Sequence, residues 1–418
     1  MRPHSTRSHN NLVAAAALAA SIFACQPDAD PAGLVGPIAA SRGSVAFQEE
    51  LASPGWQATA ATLVARAPTP PYAGARLYAF LGVAQYLAVQ QAEDGRGGDG
   101  EAERGGRSRR DADRGAVAGA SAVVLSYLFS ASAQALEDMV TAQRGAGSER
   151  AQGAFARGEA IGRAVGAEIV TRARTDGWDT PFTGTIPVGA GRWTSNTTPA
   201  TVAGGPLPRV RPWFLTSASQ FRSAPPPTFG SPAFQAGLAE IRAISDTRTT
   251  AQVDIATFWA QGAGTPTTSG FWIQVATDHI TQHGFSERRA THLYALLSAT
   301  MFDAQVGCWD AKETYWFIRP WQADAGITVV AAVGKPNHPS YPSGHSCVSA
   351  SAAAVLSRFF PDQRAHLDAM VIEAGLSRMY GGIHYRFDIE AGQRLGRSVA
   401  HFTIAADRSG HSVLSPRD

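Results

Sequence analysis

Residues 338–345 read His338-Pro339-Ser340-Tyr341-Pro342-Ser343-Gly344-His345. Behind them, residues 344–359 are apolar and rich in alanine, and Ser343 stands where a helix N-cap belongs. A helix that opens there leaves its first backbone N–H groups unbonded, and with the helix dipole these form an anion site. Lys312 and Arg319, seven residues apart, predict a shared face of one helix that Pro320 then ends or kinks. Downstream stand Ser377-Arg378, His384 and Asp388. Two arginines, one lysine, a hydroxyl and a helix N-terminus together suit a tetrahedral oxyanion, the guanidinium as a fork and the ammonium as a point charge. His345 and His384 add what a passive anion site lacks, a nucleophile or ligand and an acid or base near neutral pH. Asp388 is placed to hold His384 in one tautomer. The only lysines are Lys312 and Lys335, so a lysine at 312 runs against the chain's strong bias to arginine.

These three segments are identified as the signature of the superfamily that joins type 2 phosphatidic acid phosphatases and vanadium-dependent haloperoxidases. The resemblance implies an all-α fold whose core is a helix bundle, with the oxyanion held between its helices. It implies that Lys312, Arg319, Ser343, Gly344 and Arg378 bind the equatorial oxygens of vanadate or phosphate. His384 is then the nucleophile towards phosphorus or the ligand of vanadium, and His345 the acid–base on the apical oxygen. Trp309, three residues before Lys312, resembles the fungal chloroperoxidase pattern. His338, seven before His345, stands where bromoperoxidases carry histidine and chloroperoxidases phenylalanine. Gly381 to Asp388, Pro70-Pro71 before Arg76, Phe221-Arg222 before Pro225-Pro226-Pro227, and Phe258-Trp259 resemble bacterial haloperoxidase homologues. The implied activity is oxidation of halide, bromide before chloride, by hydrogen peroxide with vanadate as cofactor and a small organic molecule as acceptor. An acid phosphatase working through a phosphohistidine in the same pocket is the alternative, and a non-catalytic oxyanion-binding lipoprotein a third.

Outward from the signature, apolar periodicity predicts helices over 45–66, 75–92, 116–143, 150–175, 232–243, 249–261, 270–283, 287–312, 344–359, 364–377 and 388–406. No set of alternating strands appears. Residues 179–231, rich in Pro, Gly, Thr and Ser, predict a long irregular excursion pinned by Phe182, Trp193, Trp213, Phe214 and Phe221. Residues 93–115, mostly charge and glycine, predict a disordered insert. The glycines at 95, 97 and 100 match a dinucleotide fingerprint in form only, since no strand precedes them. The uncharged run 116–136 reads as an interior bundle helix, because serines and a glutamine interrupt it. His279 and His283 have metal-ligand spacing, but no third ligand accompanies them.

The chain of 418 residues is 44% hydrophobic and 17% charged, which excludes global disorder and allows a sizeable core; length alone suggests two or three domains, whereas the resemblance implies one all-α domain over 45–410. A formal net charge of +2 gives no bias towards nucleic acid. Arg2 and Arg7 precede a short apolar run ending Ala24-Cys25, which predicts a secretory signal over 1–24 and a flexible tether over 25–44. The end of the run resembles a bacterial lipobox, so Cys25 is the candidate lipidation site, with ordinary cleavage nearby the alternative. The expected location is the periplasm or cell surface, with membrane contact only through such an anchor. Cys308 and Cys347 then remain, either as a disulfide pair or as two buried thiols.

Overall fold

The computed structural model describes residues 51–94, 105–410 and 412–415. The segment 1–24, the tether 25–44, Cys25 and the glycine fingerprint lie outside these residues. Thirteen α-helices and no strand occur among the described residues. In chain order they are α1 (Ala52–Arg66), α2 (Pro71–Asp94), α3 (Gly105–Leu128), α4 (Ala133–Gly145), α5 (Glu149–Arg174), α6 (Pro232–Thr247), α7 (Thr250–Phe258), α8 (Thr267–Gln282), α9 (Glu287–Tyr315), α10 (Pro320–Ala323), α11 (Gly344–Phe359), α12 (Arg364–Tyr380) and α13 (Arg386–Arg408).

Helix α9 is the hub. It is buried on nearly every side, and it packs against α2, α11 and α13. Its two buried carboxylates serve as anchors. Glu287 accepts the backbone N–H of Ala52 and of Ser53 at 2.6 and 3.0 Å, so an anion caps α1. Asp303 accepts the N–H groups of Trp213, Phe214 and Leu215 at 2.8, 2.7 and 3.0 Å, and so ties the 179–231 excursion to the core. Trp193 stacks on Trp316, Phe182 lies against Trp316, and Phe221 meets Phe402 edge-on. The excursion is irregular apart from one 3-10 turn, Leu207–Arg209, as its composition predicts.

Helices α3 and α5 meet through glycines. A Cβ on Gly158 would fall 1.8 Å from the Ala112 carbonyl oxygen, and one on Gly162 2.1 Å from that of Ala116. Backbones this close leave room for hydrogen alone. The contact also corrects the expected insert over 93–115. Residues 93–94 finish α2, and 105–115 are the first turns of α3. Arg107, Arg109 and Arg110 face outward while Ala112 and Asp113 are buried, an amphipathic pattern that the charge count alone conceals. The expected helix over 116–143 is two helices, broken where Phe129 leaves helical geometry at φ −136°, ψ 70°. Among the described residues, no helix is long and apolar enough to cross a membrane.

The shared helix face expected of Lys312 and Arg319 is also corrected. Helix α9 ends at Tyr315, and Trp316 turns into the left-handed region at φ 48°. The Trp316 N–H returns to the Lys312 carbonyl at 2.9 Å, and its own carbonyl accepts from Trp193 N–H at 2.8 Å. Pro320 therefore starts the short helix α10 rather than ending α9, and Arg319 is the residue before it.

Removing the Asp303 carboxylate leaves three buried N–H groups without an acceptor. Asp303→Ala should lower stability to chemical denaturation by about 1–3 kcal/mol and expose the 179–231 segment to limited proteolysis. Unchanged stability and unchanged protease resistance would contradict the anchoring role.

Candidate active site

The three signature segments meet at the N-terminus of α11, tied by backbone bonds. Ser343 N–H donates to the Asp388 carbonyl at 2.9 Å, and Ser340 N–H to the Phe317 carbonyl at 2.9 Å. Ser343 is the N-cap, its Oγ accepting from Ser346 N–H. The N–H groups of Gly344 and His345, first in α11, have no hydrogen-bond partner among the described residues. They are the free donors that the sequence predicts there.

Lys312, Arg319 and Arg378 are all buried, at 0, 0 and 1% exposure, and Asp388, at 0%, is the carboxylate that Lys312 and Arg319 face. Lys312 Nζ donates to the carbonyls of Pro339, Ser340 and Pro342 at 2.8, 3.0 and 2.6 Å. Arg319 donates to the carbonyls of His338 and Ile383 at 3.0 and 2.7 Å, and to ring nitrogens of His384 and His338 at 3.1 Å each. Arg378 donates to Ser377 Oγ at 2.9 Å and to the Ala256 carbonyl at 3.0 Å, while its Nη1 has no partner among the described residues. Burial pushes the Lys312 ammonium down to about 8 and each guanidinium down to about 9. It pushes the Asp388 carboxyl up to about 6. Each shift has the same first cause, the cost of holding charge out of water; for Asp388 the neighbouring cations work against it.

The tautomer of His384 follows from its partners. A guanidinium only donates, so His384 Nε2, 3.1 Å from Arg319 Nη1, carries the lone pair. Its Nδ1 carries the proton and donates to Asp388 Oδ2 at 2.9 Å. The same Oδ2 accepts from Ser340 Oγ–H at 2.5 Å and Tyr385 N–H at 3.2 Å. Burial, then the Arg319 and Lys312 charges, hold the His384 ring well below the ordinary histidine range, so it is neutral at pH 7 with the Nε2 lone pair accepting from Arg319.

His345, Gly344 and His338 are half-buried and form the open side of the site, above the fully buried cations. His345 Nε2 meets Thr268 Oγ1 at 3.1 Å. Trp309 lies 5.1 Å from His338, centroid to centroid, and its Nε1–H donates to the Ala203 carbonyl at 2.9 Å. Ala203 N–H in turn donates to the Asn337 carbonyl at 2.8 Å, so the excursion borders the same rim. Every residue singled out in 309–388 therefore falls in one cluster. Thr268 and Ser340 belong to it as well and carry no signal in the sequence, since their partners are 77 and 48 residues away. Cys308 and Cys347 are free, buried thiols beneath the site, Cys308 Sγ lying 3.7 Å from the Pro342 carbonyl oxygen. His279 and His283 both pack on Phe360, away from the cluster.

Residues 290–409 match the model of the PAP2 superfamily. The non-specific acid phosphatase of Providencia stuartii is 31% identical over 124 residues, 29% of this chain and 48% of that protein, so the chain spans about half the length of this curated relative. Among solved structures, one described as the first bacterial vanadium-dependent iodoperoxidase superposes with a TM-score of 0.68 at 23% identity, covering 85% of this chain and 94% of that one. A holo bacterial vanadium-dependent chloroperoxidase superposes with a TM-score of 0.63 at 12% identity, covering 84% of this chain and 93% of its own. The segment that holds the buried cations and both imidazoles is thus the part that resembles the PAP2 superfamily, and the described chain has the all-α fold seen in the vanadium-dependent haloperoxidases.

Proposed function

We propose that this protein is a vanadate-dependent haloperoxidase that oxidises iodide and bromide, and chloride poorly, with hydrogen peroxide, passing the oxidised halogen to a small organic acceptor. The observation that carries the reading is a buried excess of two positive charges, three cations against Asp388, beside a neutral imidazole whose lone pair faces them. Donors without a partner fit a tetrahedral oxyanion there: Arg378 Nη1 and the N–H groups of Gly344 and His345. Arg319 and Ser343 complete the cradle, and His384 Nε2 is the atom aligned to ligate the centre. Vanadate held there supplies a Lewis acid that activates peroxide towards halide. The chain's own part is to neutralise the guest's charge, to keep His384 in the Nδ1–H tautomer through Asp388, and to exchange a proton at the rim through His345. Export through residues 1–24, with lipid attachment at Cys25, belongs to the same proposal.

The phosphatase relative favours a second reading, in which His384 Nε2 attacks a phosphomonoester and His345 protonates the leaving oxygen. One preparation, assayed with orthovanadate, peroxide and each halide, and separately with an aryl phosphate and no vanadium, decides between them. Halide oxidation is the expected result. Phosphatase turnover alone would establish the second reading, and oxyanion binding without either turnover a non-catalytic protein.

Two further outcomes follow from the site's geometry. Asp388→Asn keeps the shape but disturbs the tautomer, and should cost about 10–100-fold in activity; His384→Ala should abolish it. Sulfate keeps one charge state across the neutral and alkaline range, so its binding isolates the protein's titration. Lys312 is charged below about 8 and loses its proton above, so sulfate affinity should fall as pH rises past that point. Lys312→Met should bind sulfate more weakly and with a smaller decline, by calorimetry. A wild-type affinity that stays flat or rises there would contradict this assignment.

A further inference from the structure

The two imidazoles of the site have chemically different partners. His384 is held by a carboxylate, which when ionised only accepts, so its Nδ1 proton stays in place. His345 is held by a hydroxyl, Thr268 Oγ1, 3.1 Å from Nε2, and a hydroxyl both donates and accepts. We propose that Thr268 is a positioning residue for His345, its hydroxyl fixing the imidazole at the rim of the oxyanion site by accepting from Nε2–H both before and after the ring takes up a second proton. The inference rests on the reading above that His345 exchanges a proton with the guest.

The proton bookkeeping is simple. With the Thr268 O–H aimed at Nε2, the neutral ring carries its proton on Nδ1 and has no lone pair there to receive another. With the O–H turned away, Nε2–H donates to Oγ1 and Nδ1 holds a lone pair. The protonated ring keeps the second arrangement, so gaining a proton at Nδ1 breaks no bond to Thr268. A carboxylate at this position would favour the charged ring and fix one tautomer.

The turn that presents Thr268 is built for placement. Thr267 sits at φ +69°, a region that β-branched residues avoid. It is held there by Thr265 Oγ1, which accepts its N–H at 3.0 Å, and the preceding Pro266 carbonyl accepts the Tyr78 hydroxyl proton at 3.1 Å. Gly74 closes the other side, where a Cβ would fall 2.8 Å from Thr267 Oγ1. Thr267 and Thr268 are buried at 0 and 2% exposure, so the hydroxyl has little freedom to leave the ring. The other groups facing His345 are Arg378 on α12, Lys312 on α9, His338 in the loop before α11, and the backbone of Trp259 and Ala260 after α7. The cations oppose a proton on the ring, and the two backbone groups favour it.

The test compares Thr268→Val, which keeps shape and loses the hydroxyl, with Thr268→Ser, which keeps the hydroxyl. Inorganic phosphate affinity should change by no more than about twofold in either, while turnover in Thr268→Val should fall about tenfold or more and recover in Thr268→Ser. Independently of turnover, the ring nitrogen shifts of His345 should move in Thr268→Val towards those of an unrestrained imidazole, with phosphate bound and without. Thermal unfolding at the wild-type temperature confirms that the variants are folded. If Thr268→Val keeps wild-type turnover and ring shifts while His345→Ala abolishes activity, this inference fails alone. If His345→Ala is also without effect, the reading of His345 fails and takes the inference with it. Equal losses in the Val and Ser variants would reduce Thr268 to packing and overturn the proposal.

Discussion

Three cations sit out of water around one carboxylate, and the rest of the site is arranged to make that tolerable. An isolated buried charge costs several kcal/mol even after relaxation. The protein answers with backbone carbonyls, three on Lys312, two on Arg319 and one on Arg378. Those carbonyls belong to residues 338–342 and 383, in the loops that present the α11 N-terminus and His384, and to Ala256 near the end of α7, the helix that leads to Trp259 and Ala260 beside His345. The charges thus fasten the loops that carry the chemistry. Carbonyl dipoles do not neutralise a net charge, however, and the remainder is left for an anionic guest.

That division separates the floor of the site from its rim. The floor, Lys312, Arg319, Arg378, Ser343 and His384, would suit phosphoryl transfer and vanadate binding alike, because both need a tetrahedral guest that can expand to five bonds. Nothing in the floor selects between the two reactions. Selection would then fall to the rim, where half-buried His338 lies beside buried Trp309 and the excursion bonds through Ala203 to Trp309 and to Asn337. His338 is tied to Arg319 through Nδ1, so a change at the rim reaches the floor through one hydrogen bond.

Much of this was legible in the sequence, and the failures have physical causes. Helix periodicity located the bundle elements in the described chain, and Ser343 at the head of an apolar run located the anion site. Spacing failed for Lys312 and Arg319, because a separation of two turns implies a common face only if the helix continues. Trp316, captured by Trp193 from the excursion, ends it first. Charge density failed for residues 105–115, because Ala112 and Gly115 find a glycine-faced partner in α5 that the local sequence does not reveal. Thr268 and Ser340 were invisible for a more general reason. A hydroxyl becomes part of a site through what it touches, and both touch residues from distant parts of the chain.

The Lys312 geometry constrains how that residue can act. An ammonium has three N–H groups, and here all three are bonded to carbonyls. A direct bond to a guest oxygen would need one of those carbonyls released, and each belongs to the loop that positions Ser343. Acting as a charge asks for no such exchange: Coulomb attraction falls only as the inverse of distance, and in a buried site it is screened weakly. Arg378 stands in the opposite position, with a free Nη1 and few carbonyl bonds. Under the proposed function the cationic labour would therefore split, with Arg378 free to contact the guest and Lys312 setting the field while holding the loop in place.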